Sequence, residues 1–218
     1  IIDQYELGIK KDFWRGLLST NVTLYQIENS NLAQTAEFKA DGSSNTDSSI
    51  KVLSGSTKSK GVELDITARP TEGLSIIAGY SYNDMRYTKT SGIEGSFIVG
   101  DRLTRTPANT ANLSFFYTLP SGVLKDVSFG ATTNYIGKRV GGWNNQYKAT
   151  EPNGILDREI PLEGYTSIDL SAGYKWKQFS ILCKLSNITN ELNYTVHENY
   201  SVNPIAPRQV MTSLKYKF

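Results

Sequence analysis

One imidazole, His197, and one thiol, Cys183, occur among the 218 residues, and that scarcity bounds the available chemistry. A lone cysteine forms no internal disulfide, and a Cys/His metal centre needs more ligands than this chain carries. The carboxylates are scattered rather than set beside a nucleophile and a base. No hydrolytic constellation is present, so the chain reads as a non-enzyme without a resident cofactor. What remains is recognition chemistry. Tyr87, Phe97, Trp143, Tyr147 and Tyr200, joined by His197, lie in stretches otherwise rich in Ser, Asn, Thr and Gly. Such stretches offer aromatic walls and hydrogen-bond donors to a bulky solute. Arg102, Arg105, Lys138, Arg139 and Arg158 stand near the bases of the same stretches. They would attract either an anionic ligand or the phosphates of a charged surface. His197 alone reads as an exposed loop residue and not as a metal ligand.

These groups must be positioned by a sheet. The chain has 13 tyrosines and 18 glycines against two methionines, a balance that favours strands. Its net charge is +2 with the signs interspersed, which leaves no basic footprint for nucleic acid. No apolar run approaches the roughly 20 residues of a transmembrane helix. The last ten residues show the governing pattern: Val210, Thr212, Leu214, Tyr216 and Phe218 fall on one face, and Gln209, Ser213, Lys215 and Lys217 on the other, with Met211 the exception. Alternation of this kind marks nine strands, approximately Gln4 to Lys10, Leu17 to Glu28, Lys60 to Arg69, Leu74 to Arg86, Asn109 to Leu119, Val127 to Ile136, Tyr165 to Trp176, Phe179 to Ser186, and Gln209 to Phe218. Phe116 and Leu182 interrupt it. A dry and a wet face on strands of about ten residues fit a transmembrane β-barrel, whose apolar band is about 25 Å tall.

The connections alternate between short and long. Lys11 to Gly16, Pro70 to Gly73, Pro120 to Asp126 and the neighbourhood of Lys177 are brief. Asn29 to Ser59, Tyr87 to Ala108, Gly137 to Gly164 and Asn187 to Arg208 are long. Compact soluble domains rarely carry four such loops. Short turns at one rim and long loops at the other predict an up-and-down antiparallel barrel wall with a periplasmic carboxyl terminus and an extracellular first residue. Nine strands are an odd number and leave two open edges, so further strands are expected before Ile1.

Several ordered motifs carry a family resemblance. They are Tyr5-Glu6-Leu7-Gly8-Ile9-Lys10; Gly61-Val62-Glu63-Leu64-Asp65 with Arg69-Pro70, Gly73-Leu74 and Gly79-Tyr80-Ser81-Tyr82; Gly100-Asp101-Arg102-Leu103 before Pro107; Asn134-Tyr135 near Gly137-Lys138-Arg139; Leu185-Ser186-Asn187-Ile188-Thr189-Asn190; and Pro207-Arg208 before the terminal strand. In this order and over essentially the whole chain, they resemble the TonB-dependent outer-membrane receptors, most closely the siderophore-receptor branch. The resemblance implies a barrel of 22 strands with an amino-terminal plug, of which residues 1–218 would be the carboxyl-terminal nine strands. The plug and its energy-coupling box would lie outside this chain. It also implies a Gram-negative outer membrane, a ferric siderophore as ligand, and coupling to TonB through the plug. A ferric siderophore brings its iron already coordinated, so the receptor needs no metal ligands of its own. The terminal strand, with Leu214, Tyr216 and Phe218, resembles the signal read by the barrel-assembly machinery.

Within that frame the remaining motifs read as architecture. Gly61 to Glu63 and the prolines are turn chemistry, and Asn187, Asn190 and Tyr194 are expected to close the last strand pair by side-chain to backbone hydrogen bonds. Arg208 is expected to hold a structural ion pair inside the barrel or to meet the plug. Glu63, Asp65, Arg69, Asp169, Lys175 and Lys184 would face the lumen. Trp14 and Trp176 fit an aromatic girdle at the short-turn interface, and the outer wall would meet lipid and lipopolysaccharide. Cys183 would face lipid or the protein interior. Import of cobalamin, haem or an oligosaccharide is a neighbouring reading, although one histidine is few for haem. A passive porin is a third and would have no plug.

Overall fold

The computed structural model describes residues 1–91, 98–143, 159–197 and 201–218. In chain order the strands are β1 (Ile2–Phe13), β2 (Leu18–Thr35), β3 (Lys51–Ala68), β4 (Leu74–Lys89), β5 (Asn109–Thr118), β6 (Val127–Ile136), β7 (Arg139–Trp143), β8 (Glu159–Leu162), β9 (Tyr165–Trp176), β10 (Phe179–Ser186), β11 (Tyr194–His197), β12 (Ser201–Pro204) and β13 (Gln209–Tyr216). Nine of them form one antiparallel sheet in the order β1-β2-β3-β4-β5-β6-β9-β10-β13. These are the nine strands expected from alternation. The other four form two small hairpins, β7-β8 and β11-β12, inside the last two long connections.

Register extends the alternation across the whole sheet. One cross-strand row runs Ile9, Val22, Leu64, Tyr80, Ala111, Tyr135. The opposite face carries Lys10, Asn21, Asp65, Gly79, Asn112, Asn134, Ser167 in one row. Cys183 lies in the apolar face, beside Ala172 and Thr212. Asp65 accepts a hydrogen bond from Asn21 (3.3 Å), and Asp169 pairs with Lys184 (2.7 Å), both on the polar face. Phe116 and Leu182, which break the sequence pattern, lie on this polar face. Phe116 rests over Gly130, where a Cβ would stand 3.0 Å from its ring. Ile77 and Met211 join them as exposed apolar side chains on the polar face. The sheet has almost no buried core of its own, since the large apolar residues are exposed on both faces.

The four short turns gather at one end. Left-handed backbone closes them at Gly73 (φ 79°), Gly122 (φ 85°), Asp126 (φ 66°) and Lys177 (φ 49°), and at Trp14, Arg15 and Gly16. Aromatic rings mark this rim: Trp176 stacks toward Phe179 (6.4 Å), which meets Tyr216 (4.8 Å), which meets Phe218 edge-on (5.0 Å). Trp14 is exposed beside Phe13 at the same end.

The stretch Asn29 to Ser59, expected to be a loop, is mostly strand. β2 and β3 each run 18 residues and pair from Leu18↔Ala68 to Thr35↔Lys51, leaving only residues 36–50 outside. Eighteen residues at about 3.3 Å each make an arm about 60 Å long. The sequence hides it because the apolar face stops at the row Leu7, Leu24, Val62, Tyr82. The next two rows are Tyr5, Gln26, Lys60, Asp84 and then Asp3, Glu28, Lys58, Arg86. Beyond that level the apolar residues, such as Ile27, Leu32, Val52 and Leu53, no longer alternate and the period-two signal ends, although backbone pairing continues.

Candidate functional site

The long connections meet at the end opposite the short turns, and the site is built from their bases. Tyr87, expected in a loop, belongs to β4 and lies on the polar face two residues before the strand ends. Its N–H donates to the Asp101 carbonyl (3.0 Å), and the Gly100 N–H donates to the Tyr87 carbonyl (2.9 Å). The second connection therefore returns alongside β4. Leu103 N–H donates to Met85 (3.1 Å), and Arg102 donates to the Asn83 carbonyl (2.8 Å) and pairs with Asp84 (3.3 Å). Asp84 also holds Arg86 (2.9 Å), whose Nη1 donates to the Gly100 carbonyl (2.8 Å).

The third connection is tied to the second and to the fourth. Arg105 N–H donates to the Val140 carbonyl (2.7 Å). Arg139 is the principal junction. Its Nη1 donates to the Glu163 carbonyl (3.2 Å), and its Nη2 donates to Asn193 Oδ1 (3.0 Å) and to the Tyr194 carbonyl. The guanidinium also lies 5.5 Å over the Tyr165 ring. Asn193 is buried and completes the loop of bonds by donating to Glu163 O (3.2 Å). A planar fork of fixed donors can serve several carbonyls at once, which an ammonium cannot do with the same geometry.

Asn187 closes the last strand pair, as expected. It is buried with φ 50°; its Nδ2 donates to the Glu191 (3.0 Å) and Ala206 (2.9 Å) carbonyls, and its Oδ1 accepts from Glu191 N–H (2.8 Å). Asn190 Oδ1 accepts from Arg208 N–H (3.0 Å). Tyr194 takes part through its backbone, not its phenol, because the Arg139 fork reaches its carbonyl. Arg208 was expected in an ion pair; its Nη1 instead donates to the Ile188 carbonyl (3.3 Å).

Of the expected ligand-contacting aromatics, Trp143 lies at the end of β7 and His197 at the end of β11, so both occupy hairpin strands and not open loop. Phe97, Tyr147 and Tyr200, with Arg158, lie outside the described residues. The cations expected to attract an anion are partly committed. Arg102 and Arg139 hold carbonyls and a carboxylate, and Lys138 forms an exposed pair with Glu163 (2.9 Å). Among the described residues no three His, Cys, Asp or Glu side chains come together to hold a metal.

The tip of the arm is ordered by itself. Asp41 accepts from the Ser43 hydroxyl (2.7 Å) and N–H (2.9 Å), and Asp47 from Ser49 N–H (2.8 Å). These bonds, led by the serine hydroxyls, hold both carboxyls below the usual aspartate range. Asn45 donates to the Ala36 carbonyl (2.8 Å) and the Asp47 carbonyl (2.9 Å).

Comparison with known proteins adds a family. The β-barrel profile of TonB dependent receptor-like proteins matches residues 1–190. The ferrioxamine B receptor of Salmonella typhimurium is 27% identical over 174 residues, 78% of this chain and 21% of that protein. The ferric-pyoverdine 358 receptor of Pseudomonas putida is 26% identical over 216 residues, 98% of this chain and 24% of that protein. The chain thus spans only about a fifth to a quarter of these relatives. The ferripyoverdine receptor of the outer membrane of Pseudomonas aeruginosa, solved with ferripyoverdine bound, matches 100% of this chain with 27% of its own (TM-score 0.75, 24% identity). That likeness fixes the fold as a section of a receptor barrel.

Proposed function

The chain belongs to the TonB-dependent receptor β-barrel family, and on that premise we propose that it forms part of the wall of an outer-membrane receptor that captures a ferric siderophore and imports it, energised through TonB. One observation carries the reading. The second, third and fourth long connections are joined by Arg105 and Arg139 into a single platform at one end of a sheet that is apolar on one face and polar on the other. A lipid-facing wall topped by linked loops suits capture of a bulky solute from outside, followed by passage through a polar lumen.

In this reading the short turns face the periplasm, with the carboxyl terminus, and the arm and platform face the exterior. Trp14, Trp176, Phe179 and Tyr216 sit at the periplasmic boundary of the bilayer, where rings and polar tips are both satisfied. Ile77, Phe116, Leu182 and Met211 open onto the lumen, and their exposure supports a protein plug lying against this wall, through which TonB would act. Leu214, Tyr216 and Phe218 form the strand offered to the barrel-assembly machinery. Trp143 and Tyr147, on the third connection, are the first aromatics to assign to the ligand, with Tyr87, Phe97, His197 and Tyr200 around the same rim.

The test is equilibrium binding of ferric siderophores, cobalamin, haem and oligosaccharides to the intact purified receptor, with iron-free siderophores as controls. Tight binding of a ferric siderophore, weakened about tenfold (about 1.4 kcal/mol) by Trp143→Ala with Tyr147→Ala, is the expected result. Selective binding of cobalamin, haem or a glycan would keep the barrel and overturn the substrate. An open channel with no bound solute would favour a passive pore.

A further inference from the structure

The apolar face is not flush. Between β5, β6, β9 and β10 it contains a groove of about 480 Å³, lined by Phe115, Tyr117, Phe129, Leu170 and Leu185 around a floor of Ala131, Ala172 and Cys183. Cross-strand register explains the dent. Ala131 stands between Phe115 and Leu170 in one row, and the row nearer the short turns runs Tyr117, Phe129, Ala172, Cys183, Thr212. Small side chains on adjacent strands leave a trough walled by aromatic and branched ones. Beyond Cys183 the same row carries on to Thr212 on β13. An open apolar groove on a lipid-facing wall suits an alkyl chain.

The polar end of such a ligand has a place to go. Phe129 lies three residues from Asp126, about 10 Å along the strand. There the β5-β6 and β9-β10 turns abut, since Lys175 N–H donates to the Asp126 carbonyl (3.3 Å). These turns present Lys125 and Lys177, both exposed, against one carboxylate, Asp126. The Lys177 ammonium stands 5.1 Å over the Trp176 ring, at the level of the aromatic rim. The short-turn boundary below the groove therefore carries a cationic excess, as an anionic headgroup would require.

We propose that this groove seats one acyl chain of an anionic phospholipid of the periplasmic leaflet, with its phosphate held between Lys125 and Lys177. The proposal rests on the outer-membrane reading above. Burial of the chain supplies affinity, since each buried CH₂ is favourable, and the lysines supply headgroup preference.

Native mass spectrometry of the intact receptor, loaded in parallel with phosphatidylglycerol, phosphatidylethanolamine or lipid A, tests it. The wild type is expected to retain phosphatidylglycerol best. Filling the floor with Ala131→Leu and Ala172→Leu should cut retained phosphatidylglycerol at least about fivefold, corresponding to about 1 kcal/mol. Lys125→Gln with Lys177→Gln should equalise phosphatidylglycerol and phosphatidylethanolamine while leaving chain retention in place. Unchanged retention in the filled variant, or retention of lipid A above both phospholipids, overturns the proposal. Heat-modifiable migration and ferric-siderophore binding are measured on the same preparations. Their loss in the wild type would strike the receptor reading, whereas their persistence with unaltered lipid retention in the filled variant strikes the groove alone.

Discussion

The arm made by β2 and β3 and the platform made by the last three long connections stand at the same end of the sheet but are ordered by opposite means. The arm closes largely on itself: its tip contacts join residues no more than fourteen positions apart, the widest being Ala36 N–H to the Ile50 carbonyl, and its stem is the β2-β3 ladder with a register shift near Leu32. The platform is held by contacts across the chain, with Arg139 reaching Asn193 at a separation of 54 residues. Local order of the first kind survives change elsewhere. Order of the second kind makes separate loops respond together, which is the property a binding rim requires.

The sharpest way to break this contrast is Arg139→Ala. It removes a charge-assisted donor from three acceptors at once, so the third and fourth connections should lose about 2–4 kcal/mol of local stability. Hydrogen exchange should quicken at 159–165 and 191–197 together in the intact receptor and stay unchanged in the arm. Arg139→Lys should not rescue it. Exchange confined to one connection would show that the loops are not coupled.

A somewhat smaller effect is expected at Asn187. Replacement by Ala removes two carbonyl partners and places a Cβ residue without a compensating side chain at φ 50°, a loss of about 2–3 kcal/mol. Denaturant unfolding with a probe near β13 reads it, and a shift in midpoint under a tenth of the total would contradict the closure role. In the arm, Gly61→Ala drives a Cβ into the Tyr82 carbonyl and the Tyr25 phenol. Overpacking of this kind costs about 1–3 kcal/mol. It should loosen the stem while the platform's exchange is unaltered.

The smallest effect belongs to the tip. Asp41 and Asp47 have folded pKa values below the ordinary 3.8. Their contribution is therefore fully present above the unfolded value and is lost as pH falls through the lower folded one. A spin label at Thr46 should gain mobility only in that acid window, and Asp41→Asn with Asp47→Asn should abolish the pH dependence. Acid loosening of the platform in the same window would erase the distinction between the two regions.

How far the sequence discloses these regions follows from what imposes the pattern. The nine main strands and four short turns are legible because one face of each strand is apolar and the other polar, and because Gly73, Gly122 and their neighbours punctuate the returns. The outer half of the arm is not legible, because beyond Gln26 and Lys60 neither face is selected for apolarity. The β7-β8 and β11-β12 hairpins are four or five residues a side, too short for a period to register. Arg139 reads in sequence as a cation free to meet an anion. Its real partners, Glu163 and Asn193, follow it by 24 and 54 positions, and no local spacing announces them. Asn187 was legible because the chain turns at that residue, with φ 50°.

The inset hairpin of the third connection also bears on how the sheet can be assembled in time. β6 pairs along its whole length with β9 across residues 137–164, whereas β9 and β10 are joined by Lys177 and Gln178 alone. Closing the longer segment as free chain costs about 2 kcal/mol more than closing the two-residue turn. Pairing of Arg139 with Leu162 and Val140 with Pro161 brings the ends of that segment together beforehand, so the strand-joining step then behaves as the closure of a much shorter loop. A connection that carries a small hairpin of its own is thus long in sequence yet short for folding kinetics.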